Sequence, residues 1–333
     1  MKTANASGAA GLENLVGASP AFRHMEKMIR RIAAFDTTVL IEGETGTGKE
    51  LAARAIHYLS ARCGLPFVPI NCGAIPDSLF ENELFGHRRG AFTDARESHA
   101  GLVAQARGGT LFLDEVDALT SKAQVVLLRF IQDQEYRPLG SAQAELGNVR
   151  IIAATNADLS CQVAQGNFRA DLLYRLNVLP LVIPPLRERE GDVERLAEHY
   201  LNQFSRRYGL PKRALHPDTL AWMSRNTWPG NVRELENFIH RLVLLCDDAV
   251  ISSQAPASDE ERRRQADRRI PFKEAFGSDK ARVIEDFERR FLVHVLQLAG
   301  GNVTQAAKLA GKERRALGKL LKKHSIDPQS FAG

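Results

Sequence analysis

The stretch GETGTGKE, from Gly43 to Glu50, decides the fold. It follows an apolar run ending in TVLIE (Thr38–Glu42) and opens a helical pattern. Glycines at 43, 46 and 48 let the backbone curl so that its N–H groups point inward, and the helix N-terminus behind the loop adds a dipole that favours an anion. Glu44, Thr45 and Thr47 fill the loop, and Lys49 supplies a positive charge for the outer phosphates of a nucleotide. One residue departs from the general phosphate-loop pattern: Glu50 stands where a Ser or Thr hydroxyl usually binds magnesium.

Working outward, TLFLDE (Thr110–Glu115) ends an apolar run with two acids. In a parallel sheet that tip lies on the same edge as the phosphate loop. Asp114 there would hold Mg2+, directly or through water, and Glu115 would polarise the attacking water as a general base. Further short apolar runs occur at PFVPIN (Pro66–Asn71), VRIIAATN (Val149–Asn156) and LPLVIP (Leu179–Pro184), with helical segments such as Glu50–Ser60 and Ser121–Gln134 between. Such near-continuous runs read as strands buried on both faces, giving an α/β doubly wound parallel sheet over residues 15–185.

After Pro185 the strands are expected to stop. Asp192–Tyr208, Pro217–Asn226 and Asn231–Cys246 read as the helices of a small all-α subdomain spanning 186–250. Residues 251–280 are polar and mixed in charge and read as a linker. Residues 1–14 read as a disordered lead-in. From 281 to 333 comes an amphipathic helix to Ala299, then Gly-Gly-Asn and two short helices.

Of 333 residues, 44% are hydrophobic and 26% charged, which excludes a wholly disordered chain. No apolar stretch approaches the ~18–20 residues of a membrane span, and the start lacks the apolar core of a secretory signal. The cysteines Cys63, Cys72, Cys161 and Cys246 form no CxxC or zinc-finger spacing and read as reduced thiols of a cytoplasmic protein. The net charge of +5 resides in the tail: residues 301–333 hold seven basic and two acidic side chains. A neutral body with a basic module points to nucleic acid.

On these motifs the sequence resembles the AAA+ domain of bacterial enhancer-binding proteins, the activators of sigma-54 RNA polymerase, from about Leu15 to Val250. GETGTGKE is similar to the family's Walker A, Glu50 included, and ARGGTLFLDE (Ala106–Glu115) to its Walker B. ELFGHRRGAFTDA (Glu83–Ala95) resembles its sigma-54-contacting loop, FRADLLYRLNV (Phe168–Val178) its arginine-finger region, and WPGNVREL (Trp228–Leu235) its sensor II motif. The resemblance implies an AAA+ P-loop ATPase using ATP and Mg2+, with a helical lid. Asn71 would hold Glu115 off until the site is engaged, Asn156 would read the γ-phosphate as sensor I, and Arg233 would act as sensor II. Arg169 and Arg175 are the finger candidates, acting from a neighbouring subunit of a homo-oligomer that runs from dimer to hexameric ring. Gly90, Ala91, Phe92, Thr93, Asp94 and Ala95 would meet sigma-54; the family's usual residue at Asp94 is Gly.

The C-terminal segment is similar to the Fis-type helix-turn-helix of the same family. Val303, Ala306 and Ala307 form a small apolar face, Gly311 makes the turn, and Glu313–His324 reads as the recognition helix. Arg314, Arg315, Lys319 and Lys322 would reach the major groove or phosphates of enhancer DNA. Ile284, Phe287, Phe291, Val295 and Leu298 form the apolar stripe of the preceding helix.

The expected partners are the sigma-54 RNA polymerase holoenzyme, enhancer DNA and further copies of the chain. Only the short lead-in precedes the ATPase segment, so no receiver domain is expected. By resemblance to the phage-shock and type III secretion activators, control would come from a separate regulatory protein or from expression level. Two other readings compete: a DNA-binding regulator whose AAA+ domain does not act on sigma-54, kept alive by Asp94, and a generic AAA+ remodeller, which has no use for ELFGHRRGAFTDA.

Overall fold

The computed structural model describes residues 15–92, 95–211, 213–246 and 248–251, then 288, 291–292, 295–296, 299–300, 302–312, 314–324 and 326. The lead-in, the linker beyond Ile251, Thr93, Asp94 and much of the helix expected at 281–299 lie outside the described residues. The chain divides into two compact units, Met1–Gln254 and Ala255–Gly333.

In the first unit, α1 (Pro20–Ala33) starts where Ser19 Oγ accepts Phe22 N–H at 3.1 Å and Pro20 opens the first turn, losing no hydrogen bond there. It buries Phe22, Met25, Ile29 and Ile32 at helical spacing. β1 (Val39–Glu42) leads through the glycine loop into α2 (Lys49–Tyr58). β2 (Phe67–Asn71) and α3 (Asp77–Phe85) follow, then a small antiparallel hairpin, β3 (Gly86–His87) with β4 (His99–Ala100). Next come α4 (Leu102–Gln105), β5 (Thr110–Asp114), α5 (Ser121–Asp133) and a second hairpin, β6 (Glu135–Tyr136) with β7 (Glu145–Leu146). β8 (Arg150–Thr155), α6 (Leu159–Ala164), α7 (Ala170–Leu176) and β9 (Leu179–Val182) complete this layer.

The main sheet has the order β2-β5-β8-β1-β9, and all four pairings are parallel. Side chains alternate across it. Leu111, Leu113, Ile151 and Ala153 pack one way with Leu84, Leu127 and Leu172. Phe112, Ile152, Val39 and Ile41 pack the other way with Ile29 and Ile56. The expectation of strands buried on both faces holds for the central β5, β8 and β1. β2 and β9 are edges, and each exposes a proline, Pro69 and Pro180. A proline lacks the N–H a central strand must donate, and it blunts an edge against further pairing.

The lid contains α8 (Asp192–Arg207), α9 (Pro217–Arg225) and α10 (Asn231–Leu245). They close on Trp228, whose ring N–H donates to Met223 O at 2.8 Å, with Leu235, Phe238 and Ile239. Strands do not stop at Pro185 as expected: β10 (Ala214–Leu215) pairs in parallel with β11 (Val250–Ile251). Two-residue strands carry too little periodicity to stand out in a sequence.

In the second unit, Asn302 Oδ1 accepts Thr304 and Gln305 N–H and starts α11 (Val303–Leu309). Gly311, at φ +60°, turns the chain into α12 (Arg314–Lys323). Ala306, Ala307, Leu317 and Leu321 pack on Leu292, Val295 and Leu296. Phe291, expected inward, is 38% exposed. Apolar residues occupy adjacent positions here, and the small alanine face receives Leu292 and Leu296 instead. Glu288 accepts from Lys323 and His324, both at 2.8 Å, joining the ends of this unit.

Among the described residues no helix is long and apolar enough to cross a membrane. What the fold achieves is placement. The carboxyl ends of β1, β5 and β8 bring the glycine loop, Asp114–Glu115 and Thr155–Asn156 to one edge of the sheet, where open α/β sheets bind ligands.

Candidate nucleotide site

The loop after β1 is held by its own bonds. Gly46 and Gly48 adopt φ +79° and +97°, which bulkier residues rarely enter. Thr47 is buried and donates to Glu44 O at 2.8 Å. Lys49 Nζ donates to Gly43 O at 2.7 Å and Glu44 O at 3.2 Å, and so sits beneath the loop. Burial pulls the Lys49 pKa down, while Asp114 and Asp117 oppose this. Glu50 points to Arg54, one turn on, in an exposed ion pair of 2.7 Å.

Asp114 is opposite Asn71 in the ladder, and burial raises its pKa. A half-buried carboxylate facing Lys49, with a backbone N–H as its hydrogen-bond donor, is a hard oxygen donor that a bound cation would favour. Among the described residues no three acids, histidines or cysteines cluster as a protein-only metal cage. Mg2+ is commonly held by one or two carboxylates together with phosphates.

Glu115 starts the next turn in the left-handed region, φ +55°. No hydrogen bond joins it to Asn71, whose Oδ1 accepts Ala74 N–H at 3.1 Å. Both side chains border Gly73: a Cβ there would lie 2.8 Å from Glu115 Oε2 and 3.4 Å from Asn71 Oδ1. Gly73 thus leaves the space in which they can approach, a role the sequence did not announce.

At the tip of β8, Asn156 Nδ2 donates to Thr45 Oγ1 at 3.1 Å. Its neighbour Thr155 donates to Asp117 Oδ1 at 2.6 Å. Arg233 is exposed in the first turn of α10; its backbone N–H donates to Gly46 O at 3.3 Å, and its charge helps lower the pKa of Lys49. A cavity of about 30 Å³ beside Thr47 and Gly48 is lined by Val16, Leu51, Tyr200 and Val232. That is room for a water molecule, not an aromatic base. A larger opening of about 480 Å³ lies outside the loop against Glu44 and Arg187; neither Lys49 nor the two carboxylates line it.

Arg169 and Arg175 are the two finger candidates. No hydrogen bond or ion pair links either to the loop, Asp114 or Glu115. Arg169 caps α7 and is forked onto Asp171 at 2.7 and 3.0 Å. Arg175 is exposed in the last turn of α7 and has no ion pair among the described residues.

The hairpin β3–β4 carries the loop at 90–95. Gly90 takes φ +82° and donates to Ala95 O at 2.8 Å. Phe92 is 44% exposed, with its ring 4.9 Å from that of His87. Ala91 abuts Gly140 so closely that a Cβ on the glycine would lie 2.9 Å away. In the second unit Arg314, Arg315, Lys319 and Lys322 are all exposed on α12, opposite buried Leu317 and Leu321.

Comparison with known proteins agrees with this geometry. The Sigma-54 interaction domain matches residues 15–182, the AAA+ ATPase lid domain 187–269, and the bacterial regulatory protein Fis family 283–324. The transcriptional regulatory protein GlrR of Escherichia coli is 44% identical over 320 residues, 96% of this chain and 70% of that protein. The response regulator protein PilR of Pseudomonas aeruginosa is 42% identical over 319 residues, 94% of this chain and 70% of that one. The crystal structure of NtrX from Brucella abortus in complex with ADP superposes with a TM-score of 0.69 at 32% identity, covering 98% of this chain and 72% of that chain. NtrX has also been solved in complex with ATP.

Proposed function

The chain belongs to the family of AAA+ transcriptional regulators that carry a sigma-54 interaction domain and a Fis-type DNA-binding domain, and we propose that it spends ATP to remodel sigma-54 RNA polymerase holoenzyme at promoters served by its enhancer sites. The observation that carries this is the convergence of Lys49, Asp114, Glu115 and Asn156 on one sheet edge, in a unit that also presents exposed Phe92 on a separate hairpin.

In this reading the loop N–H groups and Lys49 bind the phosphates, and Asn156 leaves Thr45 for the γ-phosphate. Asp114 would hold Mg2+, whose charge neutralises the phosphate oxygens. Glu115 takes a proton from the attacking water. Asn71, with its Nδ2 unused among the described residues, reaches Glu115 across Gly73 and restrains it. The nucleotide base sits beside Val16, Leu51 and Val232.

Arg175, exposed and without an ion pair among the described residues, is the better placed finger, serving the neighbouring subunit of a head-to-tail hexameric ring; Arg169 is engaged by Asp171. Gly90–Ala95 carries the sigma-54 contact, and α12 lays Arg314, Arg315, Lys319 and Lys322 on DNA. The protein works in the cytoplasm. In vitro transcription from a sigma-54 promoter, with and without ATP, tests the whole reading. ATP-dependent open complexes are expected. ATP hydrolysis without sigma-54 engagement would replace it by a DNA-binding regulator that does not act on that factor.

A further inference from the structure

The outer side of the phosphate loop is gripped by one buried amide. Asn231, the first residue of α10, is 0% exposed and holds φ +53°. Its Nδ2 donates to Thr45 O and to Glu44 Oε2, both at 3.1 Å, while its Oδ1 accepts Leu186 N–H at 2.8 Å. Arg187 clasps the same Glu44 carboxylate at 2.6 and 2.8 Å. Together Arg187 and Asn231 hold the Glu44 pKa down to about 2, so that carboxylate stays charged. One residue further along the loop, Gly46 meets Gly230: a Cβ on Gly46 would lie 2.2 Å from Gly230 O.

The residue type is dictated by these partners. An amide offers donors to Thr45 O and Glu44 and an acceptor to Leu186 N–H, and asparagine is among the few residues that enter the left-handed region readily. Thr45 is held from both sides, its carbonyl by Asn231 and its hydroxyl by Asn156. Two residues after Asn231 comes Arg233, exposed and close enough to Lys49 for its charge to be felt there.

We propose that Asn231 is a positioning residue for ATP turnover: it locks the start of α10 to Glu44 and Thr45, so that loop and lid move as one and Arg233 faces the phosphates. This rests on the nucleotide reading of Gly43–Glu50. It adds a fixed mechanical joint between loop and lid, set by a side chain that does not itself reach the phosphates.

The test uses the full chain and ATP. Asn231→Gly keeps the left-handed backbone and deletes only the amide. Its kcat should fall about tenfold with a melting temperature near wild type, and its effect should largely vanish in an Arg233→Ala background. Asn231→Asp turns the donor into a carboxylate beside Glu44. Its defect should shrink as pH is lowered from about 8 to about 6, because the neutral acid donates again. Turnover of Asn231→Gly within about twofold of wild type, or an undiminished effect in the Arg233→Ala background, overturns the proposal. If Asn231→Gly fails to fold, a pH-independent defect in Asn231→Asp overturns it instead. Failure of the nucleotide reading is separate: it would show as wild-type ATP affinity in Lys49→Ala.

Discussion

Thr155 donates its hydroxyl to Asp117 over 2.6 Å, tying the tip of β8 to the turn that follows β5. The bond sets the spacing between Asn156, which touches the phosphate loop, and Glu115, two residues before Asp117. Thr155→Val keeps the shape and removes the hydroxyl, leaving Asp117 without this donor. We expect kcat for ATP to fall about tenfold, a change of ~1.4 kcal/mol in the barrier, with ATP affinity little changed. Equal loss of affinity and rate would place the bond in binding rather than in alignment for hydrolysis.

Glu115→Gln preserves size but cannot accept a proton. ATP binding should persist while turnover drops by about 10²–10⁴, the usual worth of a positioned base. Lys49→Ala should weaken nucleotide binding itself. Single-turnover hydrolysis and equilibrium binding separate the two. Near-normal turnover with Glu115→Gln would remove that residue from the chemistry.

The phosphate loop, the acids after β5 and the five main strands were legible because each is a local pattern: glycines at fixed offsets, acids ending an apolar run, Val/Ile/Leu clusters. The joints between them were not. Thr155 and Asp117, or Asn231 and Thr45, are far apart in sequence and meet only after the sheet has formed and the lid has closed on it. Gly73 carries no sequence signal of its role, because the Glu115 side chain that borders it comes from a distant part of the chain. Pro69 and Pro180 did carry a signal, since proline belongs on edges, but the apolar runs around them read as central strands.

Arg175 and Arg169 differ in freedom, which predicts a difference in role. Arg175→Ala should abolish ring ATPase activity, while Arg169→Ala should cost less, because the Arg169 side chain is committed to Asp171. Mixing inactive Arg175→Ala subunits with inactive Glu115→Gln subunits should restore activity at interfaces that pair an intact base with an intact finger. Silent mixed rings, shown to have formed, would count against action in trans.

Asp192 is fully buried at the start of α8 and accepts from Ala18 N–H, Ser19 N–H, Ser19 Oγ and Arg189. Burial alone would raise its pKa, but these donors outweigh it and the net shift is downward from 3.8. A depressed carboxylate stabilises the fold above its unfolded pKa and loses that contribution as pH falls through the folded value. Thermal stability should therefore decline below about pH 4, more steeply for wild type than for Asp192→Asn. At neutral pH Asp192→Asn leaves Arg189 buried without its charge partner and should cost about 3–5 kcal/mol. Parallel pH profiles for the two proteins would refute the assignment.

The loop tip at 90–95 yields the prediction that bears most directly on function. Gly90 closes its base at φ +82° with a bond to Ala95 O, as expected of a residue without a Cβ. Phe92 remains 44% exposed although a large apolar side chain gains ~1.5–3 kcal/mol from burial. Its visible support is the tilted His87 ring, itself fixed through Nδ1 to Asn82 Oδ1 at 2.8 Å. An apolar anchor held out on a hairpin fits contact with a partner better than a part in hydrolysis. Phe92→Ala and Thr93→Ala should therefore leave ATPase activity and ring formation within about twofold of wild type, while open-complex formation at a sigma-54 promoter falls by at least about tenfold. Asp94→Gly, which installs the family's usual residue, should preserve or raise that activity. If the wild-type protein hydrolyses ATP yet never binds sigma-54, even with a transition-state analogue of hydrolysis present, the loop has another partner and the activator reading fails.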